Sequence, residues 1–381
     1  MRGFVVRARV LLLALALTLT QAPGVDANKI NKSSNPAIGP TGGYVYRYVA
    51  NKQQRKDVNN KWQPKDSRKE GSFDSIRVSA YKSINSLSAD PNLSNIKLEY
   101  LVRPGYPKQI EQVVRLQVEK VASRFSPLLS RFETAKIIMI TEKDKNWVRS
   151  DLPKIVSTEF FGGSIEILDW YNTKERFFSR GGTGGGIAYY ITDKGYAFYI
   201  SHTSSLATLE TFWPEVPPHE FTHALQGFLT NGFTDRYPNG HPESNWNGHF
   251  VEGSANTLGM ALGFETLGWY SDEMDKLLKQ EIQRSTALPK MNNLQDSVAL
   301  IKAIEERNSE NTSQFVYSAG QFVWEYFIGK YGVEKYVELL RNMPKANNFN
   351  ENLKAIIGKD KQAFYQEAGT YLLKNWKRIS K

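Results

Sequence analysis

The feature that most constrains how this chain can fold is the pair His219 and His223 in the run His219-Glu220-Phe221-Thr222-His223. Residues four apart share a face of an α-helix, so a helix here lets both imidazoles reach one metal ion while Glu220 borders the open coordination position. The flanking residues ask for the same helix. Pro217-Pro218 come first, and proline is tolerated in a first turn where its missing N–H costs nothing. Phe221, Ala224, Leu225 and Phe228 supply apolar contacts, and Asn231-Gly232 provide a stop. Two neutral nitrogen donors beside a carboxylate are what a zinc site that acidifies water requires. The competing reading is a pair of histidines on an ordinary surface helix, and the rest of the chain has to decide between the two.

Composition narrows the setting. With 381 residues, 40% hydrophobic and 23% charged, the chain is long enough for two packed subdomains. Arg2, Arg7 and Arg9 flank the start of an apolar run from Val10 to Thr20, and Val25-Asp26-Ala27 reads as a small-x-small cleavage site. Residues 1–27 are therefore expected to be an export signal, which implies a secreted or cell-envelope protein. The apolar run is too short to span a bilayer and no later run approaches that length, so no stable membrane insertion is expected after cleavage. The absence of cysteine excludes disulfides, thiolate metal sites and a cysteine nucleophile. Net charge is +10, or +8 beyond residue 27, without any run of five like charges. Scattered lysines of this kind read as a solubilising surface rather than a patch for anionic polymers, and nothing resembles a nucleic-acid module.

Residues 28–95 are polar, rich in Lys, Asn, Gln and Ser, and read as an irregular N-terminal extension, a cleavable propeptide being the lesser reading. Within it, Tyr44-Val45-Tyr46-Arg47-Tyr48-Val49 and Ile76-Arg77-Val78-Ser79-Ala80-Tyr81 are short strand candidates. An α/β subdomain is expected over 96–215. Leu98 to Val102 reads as a strand; Ile110, Val113, Val114, Val118, Val121, Ala122 and Phe125 recur at helical spacing. Ile137 to Ile140 reads as a buried strand, Ile165 to Leu168 as a weaker one. The glycines from Gly181 to Gly186 lack the Lys-Ser or Lys-Thr pair and the following helix of a phosphate loop. They lead instead into strands over 187–191 and 196–201, joined at Lys194-Gly195, whose hairpin edge is where an extended peptide can add on. Residues 216–381 are expected to be a helical zinc-binding subdomain, with apolar helical segments over 277–282, 298–304, 315–327, 333–340 and 364–373.

A His pair needs a third ligand. Gln226 and Leu229 stand where the metzincin pattern has Gly and His, which removes that class. Glu252 lies 29 residues past His223, in His249-Phe250-Val251-Glu252-Gly253-Ser254-Ala255-Asn256. That distance lets the metal helix end, a loop turn, and a second helix, opening near His249 and running through Leu262, return with a glutamate that completes a His2Glu site. Gly253 and Ala255 are small, as close approach of two helices favours. Asn256, one turn beyond Glu252, is placed to hold a ligand imidazole by a hydrogen bond. His249, His241 and Asp235 remain alternative third ligands.

With these residues in view the chain resembles the gluzincins, the zinc metallopeptidase clan of thermolysin-like enzymes and the large zinc aminopeptidases. The resemblance rests on His219, Glu220 and His223, on Glu252-Gly253-Ser254-Ala255, and on Tyr317-Ser318-Ala319-Gly320. It implies a phenol from Tyr317, 65 residues after Glu252, that stabilises the oxyanion. The Gly-x-Met-Glu-Asn run with which the aminopeptidases grip a free amine is unmatched, since Gly195-Tyr196-Ala197-Phe198-Tyr199 offers no Glu. The implied activity is therefore endo- rather than exopeptidase. The expected fold is α+β and zincin-like: a small twisted-sheet N-terminal layer, a mainly helical C-terminal half, and a zinc cleft between them. The expected protein is an exported peptidase acting on a peptide or protein substrate. Zn2+ is held by His219, His223 and Glu252, with Glu220 as general base and Tyr317 as oxyanion donor. The competing expectation is an inactive secreted binding module on the same scaffold, engaging cell-wall or surface polymers.

Overall fold

The computed structural model describes residues 45–57, 59, 61–151, 185–191, 195–202, 213–230, 248–284, 296–305 and 315–381. The expected export signal, the strand at 165–168, the Asn231-Gly232 stop, and His241 and Asp235 lie outside them.

The first described elements form a three-stranded antiparallel meander of β1 (Tyr46–Val49), β2 (Lys52–Lys56) and β3 (Trp62–Gln63). Val49 pairs with Lys52 across a two-residue turn in which Ala50 and Asn51 both take positive φ, the conformation that matches strand twist in a tight hairpin. Next comes α1 (Ser75–Asn85), its N-terminus capped by the Asp74 carboxylate, which accepts from the Ile76 N–H. The described residues between 45 and 95 thus form regular elements rather than an irregular extension, with a strand within the expected 44–49 run and a helix, not a strand, at 76–81. The alternation of Ile76, Val78 and Ala80 imitates a strand, but the face that is buried is Arg77, Ala80 and Ile84, with Arg77 ion-paired to the buried Glu325.

The main sheet starts with β4 (Ile96–Val102), crosses through α2 (Lys108–Phe125) to β5 (Glu133–Thr141), and continues after α3 (Lys145–Ser150) with β6 (Gly185–Ile191) and β7 (Gly195–His202). Strand order is β4-β5-β7-β6, so β6 and β4 are the two edges. β4, β5 and β7 run parallel, in registers Ile96↔Glu133 and Ala135↔Tyr196, whereas β6 is antiparallel to β7. The central β5 buries Ala135 and Ile137 to Ile140, as the continuous apolar run of a strand covered on both faces requires. α2 buries the predicted stripe of Ile110, Val113, Val114, Val118, Val121, Ala122 and Phe125.

The histidine pair lies on α4 (Val216–Thr230), with Pro217 and Pro218 in the first turn as expected. A π-helical turn, His249–Gly253, leads into α5 (Ser254–Gly263). The remaining described elements are helices: α6 (Leu267–Arg284), α7 (Ser297–Glu305), α8 (Phe315–Ser318), α9 (Gly320–Tyr331), α10 (Val333–Asn342), α11 (Phe349–Ile357) and α12 (Lys361–Ile379). The fold is therefore a mixed α/β layer with a mostly helical C-terminal half. α11 had no counterpart among the expected segments, although Asn348 caps it by accepting from the Glu351 N–H and Gly358, at φ +70°, ends it. No helix among the described residues is long and apolar enough to cross a membrane.

Candidate metal centre

α4 is buried on two sides, and its two stripes divide the work. Phe221 stacks on Phe125 of α2 at 6.1 Å between ring centroids and meets Phe198 of β7 edge-on at 6.0 Å, while Phe228 meets Tyr196 of β7. This stripe fixes the helix on the sheet layer. The other stripe, His219, His223 and Gln226 at i, i+4 and i+7, faces the helical half. There α5 crosses at close range: a Cβ on Gly259 would lie 2.9 Å from the Cα of His219. Gly253 does a different job from the one its size suggested. A Cβ there would lie 2.5 Å from the Gly320 carbonyl carbon, so this glycine lets the turn carrying Glu252 close on the segment carrying Tyr317, not on α4.

The result is a convergence of lone pairs. His219 Nε2 and His223 Nε2 are 3.1 Å apart, and Glu252 Oε2 is 3.6 Å from the first and 3.3 Å from the second. His219 and Glu252 are buried and His223 nearly so. Donor atoms at the corners of a zinc tetrahedron with bonds of about 2.0–2.1 Å stand about 3.3 Å apart, so the three separations match what one zinc ion needs. Without a cation, two imidazole nitrogens and a carboxylate oxygen at this range present mutually repelling lone pairs that only a proton can relieve. Burial holds the His219 imidazolium below the usual range, with hydrogen bonding to Glu252 acting the other way. At His223 burial also opposes the charge, but the Glu252 carboxylate outweighs it and its pKa is raised. The donor set of two nitrogens and one carboxylate oxygen suits zinc.

Each predicted site residue can now be placed. Glu220 is buried beside the pair, close enough that its charge raises the His223 pKa. Tyr317 reaches the site from α8: its ring centroid lies 6.5 Å from that of His219. Asn256 is buried on α5 and its side chain lies within hydrogen-bonding reach of His219, a contact that raises the imidazole pKa against burial, while His219 Nδ1 itself makes no bond of strict geometry. His249 is not a ligand. Its Nε2 pairs with the Tyr365 hydroxyl at 3.0 Å, and its ring is enclosed by Trp324, Phe349 and Tyr365.

One residue was missed. Gln226, considered above only for the metzincin pattern it breaks, has its Oε1 2.7 Å from His223 Nδ1. The i+3 spacing from a ligand histidine on the same helix was the available signal. No protein-family model, curated protein or solved structure matches this chain.

Proposed function

We propose that the chain is a zinc-dependent peptidase that cleaves internal peptide bonds. The observation that carries this reading is the buried convergence of His219, His223 and Glu252 at 3.1–3.6 Å, with a general-base candidate in the same helical turn. His219, His223 and Glu252 would hold a zinc ion, which when bound would supply Lewis acidity at a carbonyl and lower the pKa of water. Glu220, adjacent to His219 on α4, takes the proton of the attacking water and afterwards passes it to the leaving amine. The Tyr317 phenol donates a hydrogen bond to the oxyanion that develops on the scissile carbonyl. For the substrate, β6 offers an outer edge that no described strand covers, and β6 packs beside α4, so an extended segment adds to the sheet next to the donors. Neither β6 nor β7 carries a carboxylate that would hold a free amine, which favours endo- over exopeptidase action.

Digestion of a broad peptide library tests the reading. Wild-type protein is expected to cut internal bonds, to lose that activity to a chelator and to regain it with zinc. Glu220→Gln should keep zinc and lose about 10²–10⁴-fold in turnover. An uncleaved library, or a Glu220→Gln variant as fast as wild type, rejects the mechanism.

A further inference from the structure

Behind His223 lies a hydrogen-bond network, with Gln226 Nε2 facing the Val251 carbonyl, Ser254 Oγ and, at 3.3 Å, the Tyr336 hydroxyl, that fixes which atom His223 meets. Gln226 Nε2 is 3.0 Å from the Val251 carbonyl, which can only accept. That contact fixes the flip of the amide: nitrogen toward Val251, oxygen toward His223. Nε2 also donates to Ser254 Oγ at 3.0 Å. The Ser254 hydroxyl spends its own hydrogen on the Phe250 carbonyl at 2.6 Å, so it accepts from Gln226 and, at 2.9 Å, from the Tyr336 hydroxyl. Gln226, Ser254 and Tyr336 are all buried, so no solvent rearranges these roles. The Gln226 oxygen is left as a pure acceptor 2.7 Å from His223 Nδ1, and that nitrogen must therefore carry the hydrogen. Its Nε2, the atom facing His219 and Glu252, is then the one with a free lone pair.

We propose that Gln226 is a positioning residue for metal capture. Through its oxygen it selects the tautomer of His223 that can bind a metal. Through its amide nitrogen it ties that histidine to the Val251 carbonyl and Ser254, which flank Glu252 on both sides, so that one side chain sets two of the three donors in register. The proposal rests on the metal reading of the site given above. Bonds of this kind to a ligand histidine are worth about 10–100-fold in metal affinity.

The test uses the full chain, freed of metal, as wild type, Gln226→Leu and Gln226→Glu. The glutamate keeps the acceptor for His223 but loses both donors; leucine loses everything. Side-chain ¹H–¹⁵N NMR at about pH 9, where histidine is neutral, reads the tautomer. Competition with a chromophoric chelator reads zinc affinity. Wild type should show His223 protonated on Nδ1, and Gln226→Glu should keep that tautomer. Gln226→Leu should lose it, with a zinc Kd raised about 10–100-fold. A wild-type His223 protonated on Nε2 overturns the proposal, and that measurement needs no variant to fold. So does a Gln226→Leu protein that binds zinc as tightly as wild type. A wild-type chain that takes up no zinc overturns the reading of the site itself, whatever the tautomer.

Discussion

His249 lies three residues before Glu252 and yet stays outside the donor set, because its surroundings make it a core residue. Burial first, and the charge of Lys361 second, bring its pKa down to about 3. An unfolded chain takes up that proton near pH 6.5, so between those limits the unfolded state binds the extra proton and the folded state does not. The stability this histidine contributes by staying neutral is complete above about pH 6.5 and is lost as the pH falls toward 3, by on the order of a few kcal/mol. Denaturant unfolding of wild type and His249→Gln across this window should give curves that converge at low pH; parallel curves contradict the assignment. Gln226 shows the reverse situation, a residue whose role is invisible until its partners are placed. The Val251 carbonyl is 25 residues away and Tyr336 110 residues away, and no spacing rule connects an amide to either.

Among the elements, α4 with its histidine pair depends on how closely α5 can approach it. Gly259 faces the backbone of His219 with no space for a methyl group. Gly259→Ala should therefore push α5 away from α4, costing about 1–3 kcal/mol in overpacking and weakening zinc binding at the same time. Calorimetric titration with zinc alongside thermal unfolding checks both, and an alanine variant unchanged in each measurement would show that the close approach does not matter. Most elements near the site were legible beforehand for plain reasons. α4 carries prolines at its start and an apolar stripe, β5 is a continuous apolar run, and the β6–β7 pair is bracketed by glycines. α1 was not, because the residue that decides its face is a charged one: Arg77 points inward, and partners about 200 to 250 residues away, Glu325 and Asp275 among them, make that burial possible. α11 carried cap signals at both ends that its two buried apolar residues, Phe349 and Leu353, were too few to draw attention to.

Across the whole molecule, that same arginine joins the N-terminal segment to the helical half. Arg77 Nε donates to Glu325 Oε1 at 2.8 Å, and its Nη1 reaches Asp275 at 2.9 Å and Ser271 Oγ at 2.8 Å. Glu325 also accepts from the hydroxyls of Tyr270 and Tyr371. Removing one partner of a buried pair strands the other, so Arg77→Met should cost about 3–5 kcal/mol, and adding Glu325→Leu should recover part of it. A single variant as stable as wild type would mean that residues 45–95 are only loosely attached. The sheet layer, α2 and the helical half all pack on α4, whose two sides join the sheet to the three donor residues. The proposed chemistry therefore requires that those donors hold a metal. Elemental analysis of the purified wild-type chain beside Glu252→Gln and His223→Ala measures this without any assumption about substrate. One zinc per wild-type chain, lost or greatly weakened in both variants, is the predicted result; a wild-type chain that cannot be loaded with stoichiometric zinc contradicts it.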